Sequence, residues 1–213
     1  MGRQEHVLRR LLDAHGRTYA DEAGIRLRDT PQPLYRLLVL SHLLSARIRA
    51  SVASATARAL HEAGLRDPRR MAAASWQQRV DALGRGGYRR YDERTATQLG
   101  DAARLLNDRW DGDLRELRRE ADGDIAELSR LLQEFPGMGP AGADIFLREA
   151  QGVWPELAPF LDAKALQGAG RLGLPEDPER LVALAGNTGP DVLAAALVRA
   201  AVGKEVAADA LGD

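Results

Sequence analysis

Apolar residues recur along this chain at three- and four-residue spacings almost from end to end, and no stretch shows the sustained alternation of a half-buried strand. The segment "PLYRLLVLSHLLSARI" (33–48) opens on a proline suited to a first helical turn and is apolar on most sides, which predicts a central, buried helix. "SVASATARALHEAG" (51–64) predicts a second helix stopped by Gly64. "DPRRMAAASWQQRVDALGRGG" (67–87) and "DERTATQLGDAARLLNDRW" (92–110) read as two more, set around a loop rich in Gly and Arg at 84–91. In "DIAELSRLLQEFPGMGPAGADIFLREA" (124–150), Leu128, Leu131, Leu132 and Phe135 repeat at i, i+3, i+4, i+7, and Ala143, Phe146, Leu147 and Ala150 do so again beyond a short break. Two amphipathic helices so closely joined must fold back on each other. A Trp- and Pro-containing connector (152–161) leads to a short helix ended by Gly173 and Pro175, and the tail supplies two last helices. The pattern predicts an all-α protein of roughly ten helices.

Composition bounds the rest. The chain has 213 residues, 45% hydrophobic and 29% charged, which suits a soluble globular protein. No apolar run approaches the ~20 residues that span a bilayer. The charged start "MGRQEHVLRRLLDAHGR" lacks the apolar block of a secretory signal, so no membrane and a cytoplasmic location are expected. Without cysteine there is no disulfide, thiolate metal site or cysteine-ligated iron–sulfur cluster. His6, His15, His42 and His61 show no metal-ligand spacing, so no metal is expected. The net charge is −1, but it is unevenly distributed. Residues 1–49 carry nine arginines against five acids and 66–94 eight against four, whereas 101–134 hold six basic and ten acidic residues. Such a chain can present a basic face to an anionic polymer, or simply a solvated mixed surface.

The break "FPGMGPAGAD" (135–144) is where chemistry first suggests itself. Gly137 and Gly139 tolerate positive φ, so successive backbone N–H groups can face one way. Pro140 suits the first position of the following helix, and Ala141, Gly142 and Ala143 keep that helix start slim. An exposed helix N-terminus of this kind suits a phosphate. A plain helical hairpin with a Gly-Pro turn explains the same residues.

These pieces together resemble the helix-hairpin-helix (HhH-GPD) glycosylase superfamily, the endonuclease III-like DNA repair enzymes. "LLQEFPGMGPAGADIFL" looks like the family's hairpin, "PFLDAKALQGAGRLGL" like the segment carrying its catalytic aspartate, and "PLYRLLVLSHLLSARIRASVASATARAL" like its early helix pair. They occur in the family's order, over roughly residues 30–203. The resemblance implies a two-lobed all-α fold: a helical-barrel lobe at 32–153, with the hairpin at about 125–150, and a terminal lobe of 1–31 plus 154–213. It implies a partner, double-stranded DNA containing a damaged base, gripped at its phosphates by Gly137, Met138, Gly139 and Ala141 and bound by a monomer at the nucleoid. It also implies a monovalent cation on the hairpin carbonyls.

Asp162 matches the catalytic aspartate. A fixed carboxylate would stabilise the oxocarbenium character that develops as a base leaves its deoxyribose, and would orient the attacking water. Asp162 also directly precedes a helix, where an N-cap explains it equally. The lysine nucleophile of bifunctional members is matched here by Ala141, so the resemblance implies a monofunctional glycosylase that uses water, with alkylated purines slightly favoured. Lys164, two residues past Asp162, reads as a surface residue. The alternative is a non-catalytic DNA-binding protein on the same scaffold. Arg47 occupies the place of the family's gap-filling glutamine, with a surface salt bridge as its rival role. Tyr88, Arg89 and Arg90 would form a second DNA-contacting loop or a solvated one, and Trp76, Trp154, Tyr35 and His42 would line a base pocket or pack the core.

Overall fold

Helix follows helix because the caps and breakers leave no room for anything longer. The computed structural model describes residues 2–212, and among these the regular structure is fourteen α-helices and one turn of 3₁₀ helix at Pro155–Leu157, with no strand. In chain order the helices are α1 (Arg3–His15), α2 (Tyr19–Glu22), α3 (Pro31–Ser45), α4 (Ala50–Glu62), α5 (Pro68–Ala73), α6 (Trp76–Arg85) and α7 (Asp92–Trp110). They continue as α8 (Leu114–Glu120), α9 (Ile125–Leu132), α10 (Pro140–Ala150), α11 (Ala163–Arg171), α12 (Pro178–Ala185), α13 (Pro190–Val202) and α14 (Lys204–Leu211). No single helix among the described residues is long and apolar enough to cross a membrane.

Contacts divide the chain into two units: the part through Tyr19 together with the part from Leu147 onward, and Ala20–Phe146. The expected division lay at 31/32 and 153/154. The observed one runs through the middle of α10, because the pattern of contacts changes along a continuous helix and not at a loop.

The Ala20–Phe146 unit is built around α3, whose buried face includes Leu34, Leu37, Leu40 and Leu43, all fully inaccessible. The expected central helix is therefore present, and α4 and α8 pack against it. The segment 67–87, read as one helix, is two. Ser75 caps α6 by accepting from the Gln78 amide while the Gln78 side chain returns to the Ser75 amide, and this reciprocal box opens a new helix where apolar spacing alone runs on. At Gly64 (φ +84) the chain turns out of α4 in the left-handed conformation, as expected of a terminator.

The other unit packs α11 against α13, with α1, α12 and α14 around them. The α11–α13 approach depends on small residues. A Cβ at Gly168 would lie 2.7 Å from the carbonyl carbon of Leu197 and 3.2 Å from the amide nitrogen of Ala201, so only glycine permits the contact. Ala165 and Ala169 of α11 and Ala194 and Ala201 of α13 are likewise buried.

Candidate functional site

The hairpin begins with α9, whose N-cap Asp124 accepts from the amides of Ala126 and Glu127. Phe135 is buried in the turn and stacks near Trp110, with ring centroids 5.6 Å apart, which anchors the loop to the core. Gly137 follows with φ +84, and a Cβ there would overlap the His42 ring and come within 2.6 Å of the Gln98 side chain. Gly137 thus combines a backbone conformation and a close approach that no other residue provides. Met138 turns inward and is buried, its sulfur lying where a Cβ on Gly142 would go. Its side chain is therefore core, and its amide is spent on the Phe135 carbonyl, so the phosphate contact expected at Met138 has no free donor there. Gly139 has open space around its Cα, and its carbonyl accepts the first helical bond of α10 from Ala143.

Pro140 has no N–H, and among the described residues the amides of Gly137, Gly139, Ala141 and Gly142 donate to no acceptor. Unspent donors at the start of an eleven-residue helix form a place for an anion. Ala141 is exposed there, with no nucleophile on it. The floor of the turn is tightly packed by the His42 ring and the Gln98 side chain. Burial pushes the His42 imidazole down to about 4; a Gln98 hydrogen bond raises it and the Arg94 charge lowers it further. His42 therefore supports the hairpin as a neutral ring.

Arg47, Ile48, Arg49, Val52, Gly87, Tyr88, Arg89 and Arg90 line one open cleft of about 540 Å³. Two stretches considered separately in the sequence thereby meet. None of its four arginines joins an ion pair among the described residues. The arginines of the acidic stretch behave otherwise: Arg109 pairs with Glu120 and Glu134, Arg130 with Glu127 and Glu134, Arg119 with Glu116, and Arg104 with Asp101. The salt-bridge alternative for Arg47 is thus not what the structure shows. Tyr88 is the member of its loop that does not face the solvent: it is 2% exposed, its hydroxyl accepts from Thr95, and burial raises its pKa.

Tyr35 and His42 do line a common void with Phe135 and Met138, but its volume of about 10 Å³ admits at most one water and no base. Trp76 is half exposed and its indole N–H donates to Glu93 and Thr97 on α7, whereas Trp154 is fully buried. Tyr35, His42 and Trp154 are thus packed in the interior and do not line an open pocket.

Asp162 caps α11, its Oδ1 accepting from the Ala165 amide at 3.0 Å. Its Oδ2 pairs with Arg148 of α10, and the two side chains are 9% and 8% exposed. Lys164 is exposed and donates to Gln167. The segment before Asp162 is strapped by Gln151, whose side chain bonds both the amide (2.8 Å) and the carbonyl (3.0 Å) of Phe160. The cap at Asp162 was legible in the sequence; its pairing with Arg148, the strap made by Gln151 and the place of Arg49 in the cleft were not. The polar pair Arg148 and Glu149 beside the apolar positions of α10 was the only available signal, and it names no partner. No cluster of three His, Asp or Glu residues is placed to hold a metal among the described residues.

With this geometry in hand, comparison with known proteins is informative at the level of fold. No protein-family model matches the chain, and no curated protein matches it in sequence. Solved structures do match: the fold is all-α and like that of endonuclease III. One of these is the trapped endonuclease III–DNA covalent intermediate in its estranged-adenine complex. It aligns over 93% of this chain and 85% of that one, with a TM-score of 0.52 and 17% sequence identity.

Proposed function

We propose that the protein is a duplex-DNA-binding repair protein that hydrolyses the N-glycosidic bond of a damaged base, as a monofunctional glycosylase. The observation that carries this reading is the combination, in one endonuclease III-like chain, of a hairpin with unspent amides and a rigidly held carboxylate at a helix start. The hairpin grips backbone phosphate without reading bases, and the unpaired arginines of the cleft add positive charge for the same polyanion. Asp162 supplies the carboxylate, and the flipped base departs while water attacks the sugar. Ala141 supports water as the nucleophile, because no amine stands at the hairpin to form a Schiff base. A leaving group that is already cationic, an alkylated purine, demands least of the site.

The reading needs no iron–sulfur cluster. A monovalent cation on the hairpin would use the carbonyls of Pro136, Gly137 and Met138, which accept no backbone hydrogen bond, whereas those of Phe135 and Gly139 are taken by Met138 and Ala143.

The test is release of bases from single-lesion duplexes, with and without alkali. Breaks that appear only after alkali support the reading, and a borohydride-trapped covalent complex refutes the water mechanism. The Asp162–Arg148 pair favours a second reading, a DNA-binding protein without catalysis, because a guanidinium partly cancels the field that a carboxylate would offer to a developing cation. Duplex binding with no base released from a panel of methylated purines, uracil and mismatches would establish it.

A further inference from the structure

The ion pair that weakens Asp162 as a free charge also fixes where it points. Arg148 and Gln151 lie three residues apart, on one side of α10 and its continuation. Gln151 is 2% exposed, and its amide is fully committed. Oε1 accepts from Phe160, while Nε2 donates to the carbonyls of Phe160, Arg148 (2.9 Å) and Pro190 (3.3 Å). Phe160, two residues before Asp162, therefore has both backbone polar groups held. Beyond Asp162, the α11 axis is fixed by the close contact of Gly168 with α13. The carboxylate itself is held at one oxygen by the Ala165 amide and at the other by Arg148.

The arrangement leaves capacity for chemistry. A carboxylate has about four acceptor sites, and the two bonds to Ala165 and Arg148 leave the others for a water O–H. From this geometry we propose that Arg148 is the positioning residue of the glycosylase, orienting the Asp162 carboxylate for the attacking water. The proposal rests on the glycosylase reading above. Arg148 touches neither substrate nor water; it acts through Asp162, and Gln151 secures the chain on which Asp162 sits.

The experiment is single-turnover release of 7-methylguanine from methylated duplex DNA at saturating enzyme. Wild type, Arg148→Lys, Arg148→Met and Asp162→Asn are compared, with duplex affinity measured by fluorescence anisotropy. Each variant is assayed well below its own melting temperature, so that the rate constant and not the folded fraction is read. Arg148→Met should lower the rate about a hundredfold, the effect of a misplaced catalytic group. Its duplex Kd should stay within about twofold of wild type, since the phosphate contacts are elsewhere. Arg148→Lys, which keeps a cation and donor, should recover about tenfold of the lost rate. A normal rate in Arg148→Met while Asp162→Asn is inactive overturns the positioning role and leaves the glycosylase reading standing. A faster Arg148→Met enzyme also overturns it, because the pair would then be a brake. Absence of release by wild type across the lesion panel overturns both.

Discussion

Replacing Asp162 with asparagine separates the two jobs this side chain does. Asparagine is as good an N-cap as aspartate, so the acceptor for the Ala165 amide is kept. What is lost is the negative charge opposite Arg148, a guanidinium whose side chain is only 8% exposed. Stranding one member of a buried pair costs about 3–5 kcal/mol, and the remaining tenth of exposure puts this case near the lower figure. For a chain of this length a loss of about 3 kcal/mol lowers Tm by about 6–12 °C. The double variant Asp162→Asn/Arg148→Met should regain at least about half of that, since methionine fills the arginine stem's place without a buried charge. Calorimetry on the wild type, both single variants and the double variant gives the whole cycle. An Asp162→Asn protein that melts within about 2 °C of wild type would show that the pair is not buried in solution. A double variant no more stable than Asp162→Asn would show that the stranded guanidinium is not the cause. The cycle also guards the activity assay, because loss of base release in Asp162→Asn means catalysis only if the variant is folded.

Other consequences follow from single positions. Gly139→Asp sets a carboxylate at the α10 start without a steric clash, so it should leave Tm nearly unchanged yet weaken binding to all duplex sequences alike; a sequence-selective loss refutes phosphate gripping. Gly137→Ala, by contrast, meets both positive φ and the His42–Gln98 floor and should lower stability by about 1–3 kcal/mol in urea unfolding, so it is a test of fold and not of binding. His42 titrates near 4 in the folded state against 6.5 ordinarily, so the unfolded chain takes up more protons between those values. Its contribution is intact above pH 6.5 and falls by about 3 kcal/mol as pH drops to 4, a slope that should be missing in His42→Asn. Gly168→Ala gains helix propensity but drives a methyl into the Leu197 carbonyl, and should be destabilising by about 1–3 kcal/mol; equal or higher stability would mean α11 and α13 are not in close contact.

The all-α class, the long buried α3, the reversal at 133–139 and the caps at Asp162 and Gly64 were all legible in the sequence. Each depends on residues a few positions apart: helical periodicity, proline at a first turn, glycine where φ is positive, a short polar side chain before a helix. The segment 67–87, where α5 and α6 were read as a single helix, carried its correction locally in the Ser75–Gln78 box. The difference between Gly137 and Gly139 was not legible, because it depends on His42 and Gln98, which come from two other helices. Nor was the sorting of arginines into an unpaired cleft and a paired acidic stretch, or the burial of Tyr88 between Arg89 and its glycines. Above all, Arg148 and Asp162 stand fourteen residues apart with no repeat to relate them. Their pairing is decided by where α10 ends relative to the segment Gln151 holds, a three-dimensional fact that local spacing does not encode, since charge and burial depend on distance in space and not along the chain.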